Sequence, residues 1–250
     1  MTTAHTPELD LTGKTVLFTE RRGYAGRRVL AFALGAQGAY DKMMATVSVI
    51  VHAGPRPPEK AAAKYPRGAF YSEEEFAART QARLGSFPQL VQALIAHGFR
   101  FRNPSDEADE QLDVFEQPAA ATGLKDSLLE YVRRSPFVAS YVRAPWGKMP
   151  ETPDPAFKPI EIPSRDVTWW YAFGSAAIEH IQAERGEGEY PQKIKGSDLF
   201  EAGSMLWREG TGARLYETPE DESIAGLFLM AGIERHTGQL TGLALSRTWT

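Results

Sequence analysis

The stretch of the chain with the most evident chemistry is LTGKTVLFTERRGYAGRR, at residues 11–28. An apolar strand leads into a turn that bears a glycine, and a basic helix follows. A turn between a buried strand and the start of a helix is where backbone N–H groups collect around phosphate. Tyr24 is an aromatic side chain nearby that suits base stacking. Four arginines here could hold a phosphate, contact a nucleic-acid backbone, or form an ordinary solvated face: Arg21, Arg22, Arg27 and Arg28.

A dinucleotide-binding turn is the first interpretation to test, because 250 residues is the usual length of a short-chain dehydrogenase. The fingerprint of that family, T-G-x-x-x-G-x-G, falls on TERRGYAG, where Glu20 and Tyr24 replace two glycines. Those glycines let the backbone approach the pyrophosphate, and a carboxylate at position 20 would repel it. The family's Tyr-x-x-x-Lys is also absent, since none of the nine tyrosines has a lysine four residues later. A divergent, catalytically inactive nucleotide-binding protein is therefore the weakest hypothesis for this chain.

The elements around this turn alternate between strands and helices up to about residue 85. The helix after the first strand has apolar residues at helical spacing and Gly35 where it would end. A second apolar strand, TVSVIVHAG, precedes a short helix at PPEKAAAKYP and a third strand, GAFYS. The last helix begins with a capping box formed by Ser72 and Glu75. This order predicts a small parallel sheet with helices on its faces.

Four segments of this region follow one another in the order and spacing of a known family. LTGKTVLFTE is similar to L-x-G-K-x-x-x-x-T-G, RRVLAFALGA to a helix ending in L-G-G/A, and TVSVIVHAG to T-x-L-V-V-G. EKAAAKYPRGAFYSEEEF is similar to the closing run K-x-x-x-A-x-x-x-G-I-x-I-x-x-x-x-F, with Phe76 as the core aromatic. From about Leu9 to Leu84 the chain thus resembles a BRCT domain, as found in bacterial NAD-dependent DNA ligases and many DNA-damage proteins.

The resemblance implies a four-stranded parallel sheet with three helices and no catalytic activity of its own. It also implies a pocket for phosphate, on a phosphorylated Ser/Thr or at a DNA end. The family builds that pocket from a hydroxyl after the first strand, the N–H of the next glycine, and a lysine at the start of the second helix. Thr19 and Lys60 match the hydroxyl and the lysine, which together with an amide form an anion cradle. Glu20 replaces the glycine, so its N–H remains but its carboxylate adds negative charge beside the phosphate.

Simpler roles stand beside these. Thr19 could cap the loop or the first helix, and Lys60 could be an ordinary exposed helix residue.

Residues 86–250 are predicted to form a separate α+β domain, after a first domain at residues 1–85. FPQLVQALIAHGF and LKDSLLEYVRR predict helices, and the acidic NPSDEADEQLDVFEQP predicts a surface loop. Six prolines within residues 145–163 predict an extended linker or wrapping arm. Short apolar runs between glycine turns in the last third predict a helix and a few antiparallel strands.

Residues with catalytic potential are sparse in this second part. His180 and Glu184 would share one helix face in EHIQAE, beside Glu179, but two ligands make a weak metal site and a solvated face explains them as well. The aromatic cluster TWWYAF predicts core packing, with a stacking platform or partner surface as the alternative. No G-x-S-x-G, P-loop or H-E-x-x-H motif occurs. We therefore assign no catalytic, cofactor or metal residue from the sequence.

Composition limits the classes of function further. The absence of cysteine excludes disulfides, thiolate metal sites and cysteine nucleophiles. No signal peptide and no run of about 20 apolar residues is present, which predicts a cytoplasmic protein without a membrane partner. Residues 1–85 carry 12 Lys/Arg against eight Asp/Glu, whereas residues 86–250 carry 16 against 24. This split indicates two units with different partners, or charge scattered over two solvated surfaces.

Two hypotheses of function follow from these features. The first is a non-enzymatic adaptor whose BRCT-like domain docks on a phosphorylated protein, another partner protein or DNA, in replication, repair or defence. The second is an enzyme whose C-terminal domain acts on nucleic acid or nucleotides, with the BRCT-like domain as a targeting arm.

Overall fold

The computed structural model describes residues 9–102, 112–137, 182–186, 192–217 and 225–248. The chain divides into two compact units, the first made of Met1–Arg100 with Glu184–Ile194 and the second of Phe101–Ala183 with Lys195–Thr250. The proline-rich segment at 145–163, the aromatic cluster at 168–173, Glu179 and His180 lie outside the described residues.

A four-stranded, all-parallel sheet forms the centre of the first unit, in the order β2-β1-β3-β4. Its strands are β1 (Thr15–Phe18), β2 (Gly38–Tyr40), β3 (Val49–His52) and β4 (Ala69–Ser72). β1 and β3 are buried almost throughout, which explains why their apolar runs were visible in the sequence. The predicted parallel α/β sheet is thus confirmed, and β2 is the strand that local pattern did not show.

Helices cover both faces of this sheet. They are α1 (Tyr24–Ala33), α2 (Glu59–Lys64) and α3 (Glu73–Leu84), and α4 (Phe87–Ala96) packs against α1 and α3. Leu17 and Ile50 point to one face, where they pack against α2. Phe18 points to the other face, where its ring contacts Tyr24 of α1 and Phe76 of α3 edge to face at 5.9 and 5.4 Å. Alternation along the strands therefore assigns α2 to one face and α1 with α3 to the other.

The ends of these helices follow their sequence signals. α1 stops beside Gly35, whose φ of 91° is the left-handed conformation that ends helices and favours glycine. The Ser72 hydroxyl accepts the Glu75 N–H at 3.1 Å and so caps α3, which is the Ser72 half of the predicted capping box. The Glu75 carboxylate pairs with Arg79 at 2.6 Å, one turn along the same helix.

Three short strands form a second sheet, in the order β5-β7-β8: β5 (Arg100–Arg102), β7 (Gln182–Arg185) and β8 (Gln192–Lys195). Arg185, in β7, connects this segment to the rest of the first unit through contacts of its side chain. Its guanidinium lies 5.4 Å from the Phe32 ring centre and 4.9 Å from that of Phe99. It also donates to the carbonyls of Ala36 and Gln37, at 3.1 and 2.9 Å.

The second unit is built on an antiparallel sheet in the order β6-β11-β10-β9. The strands are β6 (Leu112–Pro118), β9 (Ala213–Glu217), β10 (Ala225–Ile233) and β11 (Gln239–Thr248), accompanied by α5 (Leu124–Arg134) and α6 (Gly196–Leu206). The antiparallel strands predicted for the last third are confirmed. The surface loop predicted over residues 103–118 is wrong for residues 112–118, because this segment pairs with β11 and buries Phe115 against Tyr131 of α5. Residues 103–111 lie outside the described residues.

Candidate functional site

The loops after β1 and β3 and the start of α3 meet at one edge of the parallel sheet, because parallel strands all end on the same side. We call residues 19–23, 53–60 and 72–75 the carboxyl edge. Thr19, Glu20, Arg21 and Arg22 come directly after β1, and Lys60 lies in the first turn of α2, after the β3 loop. The topology therefore brings the predicted phosphate-binding residues to the same edge of the sheet.

Thr19 has a fixed backbone and an exposed side chain. Its N–H donates to the carbonyl of Val51 at 3.0 Å, which extends the pairing of β1 with β3 by one residue. Its side chain is exposed, as is that of Lys60. Both groups are therefore open to a ligand from solvent.

Glu20 occupies the backbone amides of its own loop. One carboxylate oxygen, Oε1, accepts the N–H of Arg21 at 2.8 Å and that of Arg22 at 3.3 Å. Gly23 then turns the chain into α1 with a φ of 70°. Two amides that converge on one oxygen next to the start of a helix are a typical anion-binding arrangement, and here the chain's own carboxylate is the anion.

The four arginines have distinct environments. Arg21 has a side chain that is 85% exposed and a 3.7 Å pair with Asp41, and Arg22 is exposed as well. Arg27 is buried, and its guanidinium pairs with the Glu73 carboxylate. Arg28 lies 5.1 Å from the centre of the Phe32 ring and donates to the carbonyl of Lys193 at 2.8 Å.

The nucleic-acid role of these four arginines stays a prediction. Arg21 and Arg22 have the exposure that such contacts need, whereas Arg27 and Arg28 have guanidinium groups engaged with the protein.

Two residues in or next to this edge were not singled out in the sequence. Glu73 stands at the first position of α3, where the helix dipole favours an acidic residue. The helix alone therefore explains an acidic residue at this position, and nothing in the sequence indicates its pairing with Arg27. His52 ends β3 in a buried position, and its Nδ1 donates to the Gly54 carbonyl at 2.9 Å. That bond shapes the start of the loop toward α2, and only the fold reveals it.

The second unit holds a buried chain of polar side chains. The indole Nε1 of Trp207 donates to the Thr241 hydroxyl at 3.0 Å, and that hydroxyl donates to Oε1 of Glu234 at 2.7 Å. All three residues are at most 1% exposed. This arrangement satisfies the hydrogen-bonding groups of three side chains inside the core. Because Trp207 is fully buried, its side chain is not accessible to a ligand from solvent.

Of the weak metal fragment in the sequence, the structure describes only Glu184, because Glu179 and His180 lie outside the described residues. Glu184 lies in strand β7 instead of a helix, and its carboxylate pairs with Lys193 at 3.0 Å. Across the described ranges, no group of three or more His, Asp or Glu side chains is arranged to hold a metal ion. None of the helices in the described parts of the chain has the length and apolar content needed to cross a bilayer.

Comparison of the chain with protein-family models, with curated proteins and with solved structures finds no match in any of the three.

Proposed function

We propose that this chain is a non-enzymatic binding protein whose first unit is a BRCT-like module that binds a phosphorylated end of DNA at its carboxyl edge. The observation that carries the proposal is the set of exposed groups gathered there: the Thr19 hydroxyl and the cations of Arg21, Arg22 and Lys60. The setting that suits such a module is DNA replication, repair or defence.

The position of these groups supports ligand binding. Ligands of open parallel sheets bind outside the carboxyl ends of the strands, where loops supply side chains without disturbing the core. A hydroxyl and several cations on adjacent loops can share the oxygens of one phosphate. The strand order β2-β1-β3-β4 and the helices on both faces agree with the sheet that the BRCT resemblance implies.

Glu20 supports an anion site and also limits its affinity. Its carboxylate already sits on the amides of Arg21 and Arg22, so those N–H groups are oriented toward an oxyanion. An incoming phosphate would compete with that carboxylate or bind beside it against its charge. We therefore expect modest affinity that increases when the charge at position 20 is removed.

The charge of the first part favours a DNA end over a phosphopeptide. Residues 1–85 carry 12 Lys/Arg against eight Asp/Glu, and Arg21 and Arg22 adjoin Thr19. A DNA end offers further backbone phosphates near the terminal one, so both arginines gain partners.

The test is fluorescence anisotropy of the full chain with a labelled duplex that carries either a 5′-phosphate or a 5′-hydroxyl. Tighter binding of the phosphorylated duplex is expected, and Thr19→Ala combined with Lys60→Ala should abolish the difference. Thr19→Ser keeps the hydroxyl and Lys64→Ala removes a charge from the far end of α2, so both should retain it. Equal affinity of the wild type for the two duplexes would overturn the proposal. A preference for a phosphothreonine peptide over both duplexes would overturn the choice of DNA.

A further inference from the structure

Arg27 lies in α1, next to the carboxyl edge, and is the most buried of the four arginines that follow β1, at only 9% exposure. Its position in α1 explains the burial. Arg27 lies three residues before Leu30 and seven before Leu34, on the helical stripe that faces the core. A charge in such a position needs partners from the protein itself.

Arg27 finds these partners on the loop after β1. Its Nη2 donates to the carbonyl of Glu20 at 3.1 Å and to the carbonyl of Arg22. The Glu20 carboxylate meanwhile holds the N–H groups of Arg21 and Arg22. Three successive peptide groups of this short loop are thus held by side chains, two of their carbonyls by a cation and two of their amides by an anion.

The same guanidinium is anchored to a second element. Its Nη1 pairs with the carboxylate of Glu73, the first residue of α3. A planar guanidinium presents several donors in a fixed fork, which lets one side chain bind two carbonyls and a carboxylate at once. Arg27 therefore ties the loop after β1 to the helix after β4.

We propose that Arg27 is a positioning residue that orders the loop of Thr19–Arg22 for binding, and that it does not contact the ligand itself. This inference rests on the proposed function, because it assigns the loop as the recognition element. A preformed loop binds more tightly, since its ordering does not oppose association. The role differs from that of Arg21, Arg22 and Lys60, whose exposed charges would meet the phosphates directly.

The two roles differ in their dependence on salt. Each phosphate neutralised by a side chain contributes about 0.9 to the slope of log affinity against log salt. Arg27→Met should weaken binding of the 5′-phosphorylated duplex by about tenfold, on the scale of one charged hydrogen bond, with an unchanged slope. Arg21→Ala, in contrast, should lower the slope by about 1.

A second readout follows the loop without any ligand. In Arg27→Met, hydrogen exchange of the Arg21 and Arg22 amides should accelerate, because the carbonyl restraints are gone. Arg27→Lys, which keeps a donor, should lie between Met and wild type. Glu73→Gln keeps Arg27 but removes the negative charge that anchors it. It should weaken duplex binding and accelerate exchange of the Arg21 and Arg22 amides, each by less than Arg27→Met does. Arg79→Met is the matched control, as it removes an arginine that pairs with Glu75 within α3.

The outcomes separate this inference from the proposed function. A slope reduced by about 1 in Arg27→Met would show that Arg27 contacts a phosphate and would overturn the positioning role. Unchanged exchange of the Arg21 and Arg22 amides would overturn it as well, even if the wild type binds no duplex. A third outcome is that the Arg21 and Arg22 amides exchange faster in Arg27→Met while the wild type shows no preference for the phosphorylated duplex. That result would keep Arg27 as the residue that orders the loop and would overturn only the proposed ligand.

Discussion

Two groups of polar side chains, one in each unit, differ sharply in burial. At the carboxyl edge of the first unit, Thr19 and Glu20 are exposed, and Glu20 bonds the amides that follow it. In the second unit, Trp207, Thr241 and Glu234 form a chain of hydrogen bonds at no more than 1% exposure.

The difference in burial decides what each group can do. A buried polar group that loses its partner keeps its full desolvation cost, so the chain from Trp207 to Glu234 holds its core in one arrangement. An exposed group that loses its partner is solvated by water at little cost. The carboxyl edge can therefore exchange its internal contacts for a ligand, and the second unit's network cannot.

The largest effect on stability is expected at Trp207, where the buried network meets the apolar core. Trp207→Ala removes a side chain that is 0% exposed, contacts the Phe200 ring at 5.6 Å and lies against Gly232. We expect the free energy of unfolding to fall by about 3–5 kcal/mol. Urea denaturation followed by circular dichroism measures this loss. Met43→Ala, at a side chain that is 43% exposed, is the control and should change stability little.

A smaller loss is expected at the centre of the network. Thr241→Val keeps the volume but removes the acceptor of the Trp207 N–H and the donor to Glu234. A loss of about 1–3 kcal/mol is expected, since buried polar groups lose a partner. Thr241→Ser retains the hydroxyl and should lose less. Equal stability of the Val and wild-type proteins in the same urea titration would contradict the contrast between the two regions.

Tyr131 gives the second unit a dependence on alkaline pH. Burial raises the pKa of its phenol above the usual range, and its hydroxyl donates to Oδ2 of Asp113 at 2.8 Å, which acts in the same direction. Because the folded pKa exceeds the unfolded one, this stabilisation is complete below pH of about 10 and is lost as the pH rises further. Tyr131→Phe has no group to ionise. Its unfolding free energy should therefore fall less steeply than that of the wild type above that pH.

That difference can be followed by urea titrations at a series of alkaline pH values. Parallel profiles for Tyr131→Phe and the wild type would mean that the phenol ionises as readily in the folded chain as in the unfolded one.

The smallest effect on stability is expected at the carboxyl edge. Thr19→Ala and Lys60→Ala replace exposed side chains, so each should change the free energy of unfolding by less than about 0.5 kcal/mol. These same substitutions are expected to remove the preference for a phosphorylated end. A loss of stability as large as that of Thr241→Val would show that the edge supports the fold, and the comparison of the two regions would fail.

Much of the first unit could be predicted because its elements carry strong local signals. The apolar run of β1, the glycine after α1 and the serine cap of α3 each act within a few residues. β2 has only three residues, Gly38–Tyr40, and exists because Thr15, Val16 and Leu17 pair with it. β6 likewise reads as polar, but pairing with β11 makes it a strand.

The candidate site shows the same division. From the sequence, Arg27 and Arg28 are equivalent neighbours in a basic run, although the spacing of Arg27 to Leu30 and Leu34 is a signal for burial. The packing of α1 brings Arg27 to Glu73, which lies 46 positions along the chain. Arg28 instead donates to the carbonyl of Lys193, a contact that the local sequence does not indicate.

The sequence by itself determined the alternation of strands and helices, the hydroxyl at position 19, the lysine at 60 and the carboxylate that replaces a glycine at 20. Tertiary structure decided which of these groups meet, which cation is buried, and that Glu20 binds the amides beside it. The reason is physical: propensity, capping and periodicity act over one or two turns, whereas strand pairing and the burial of charge depend on residues distant in the chain.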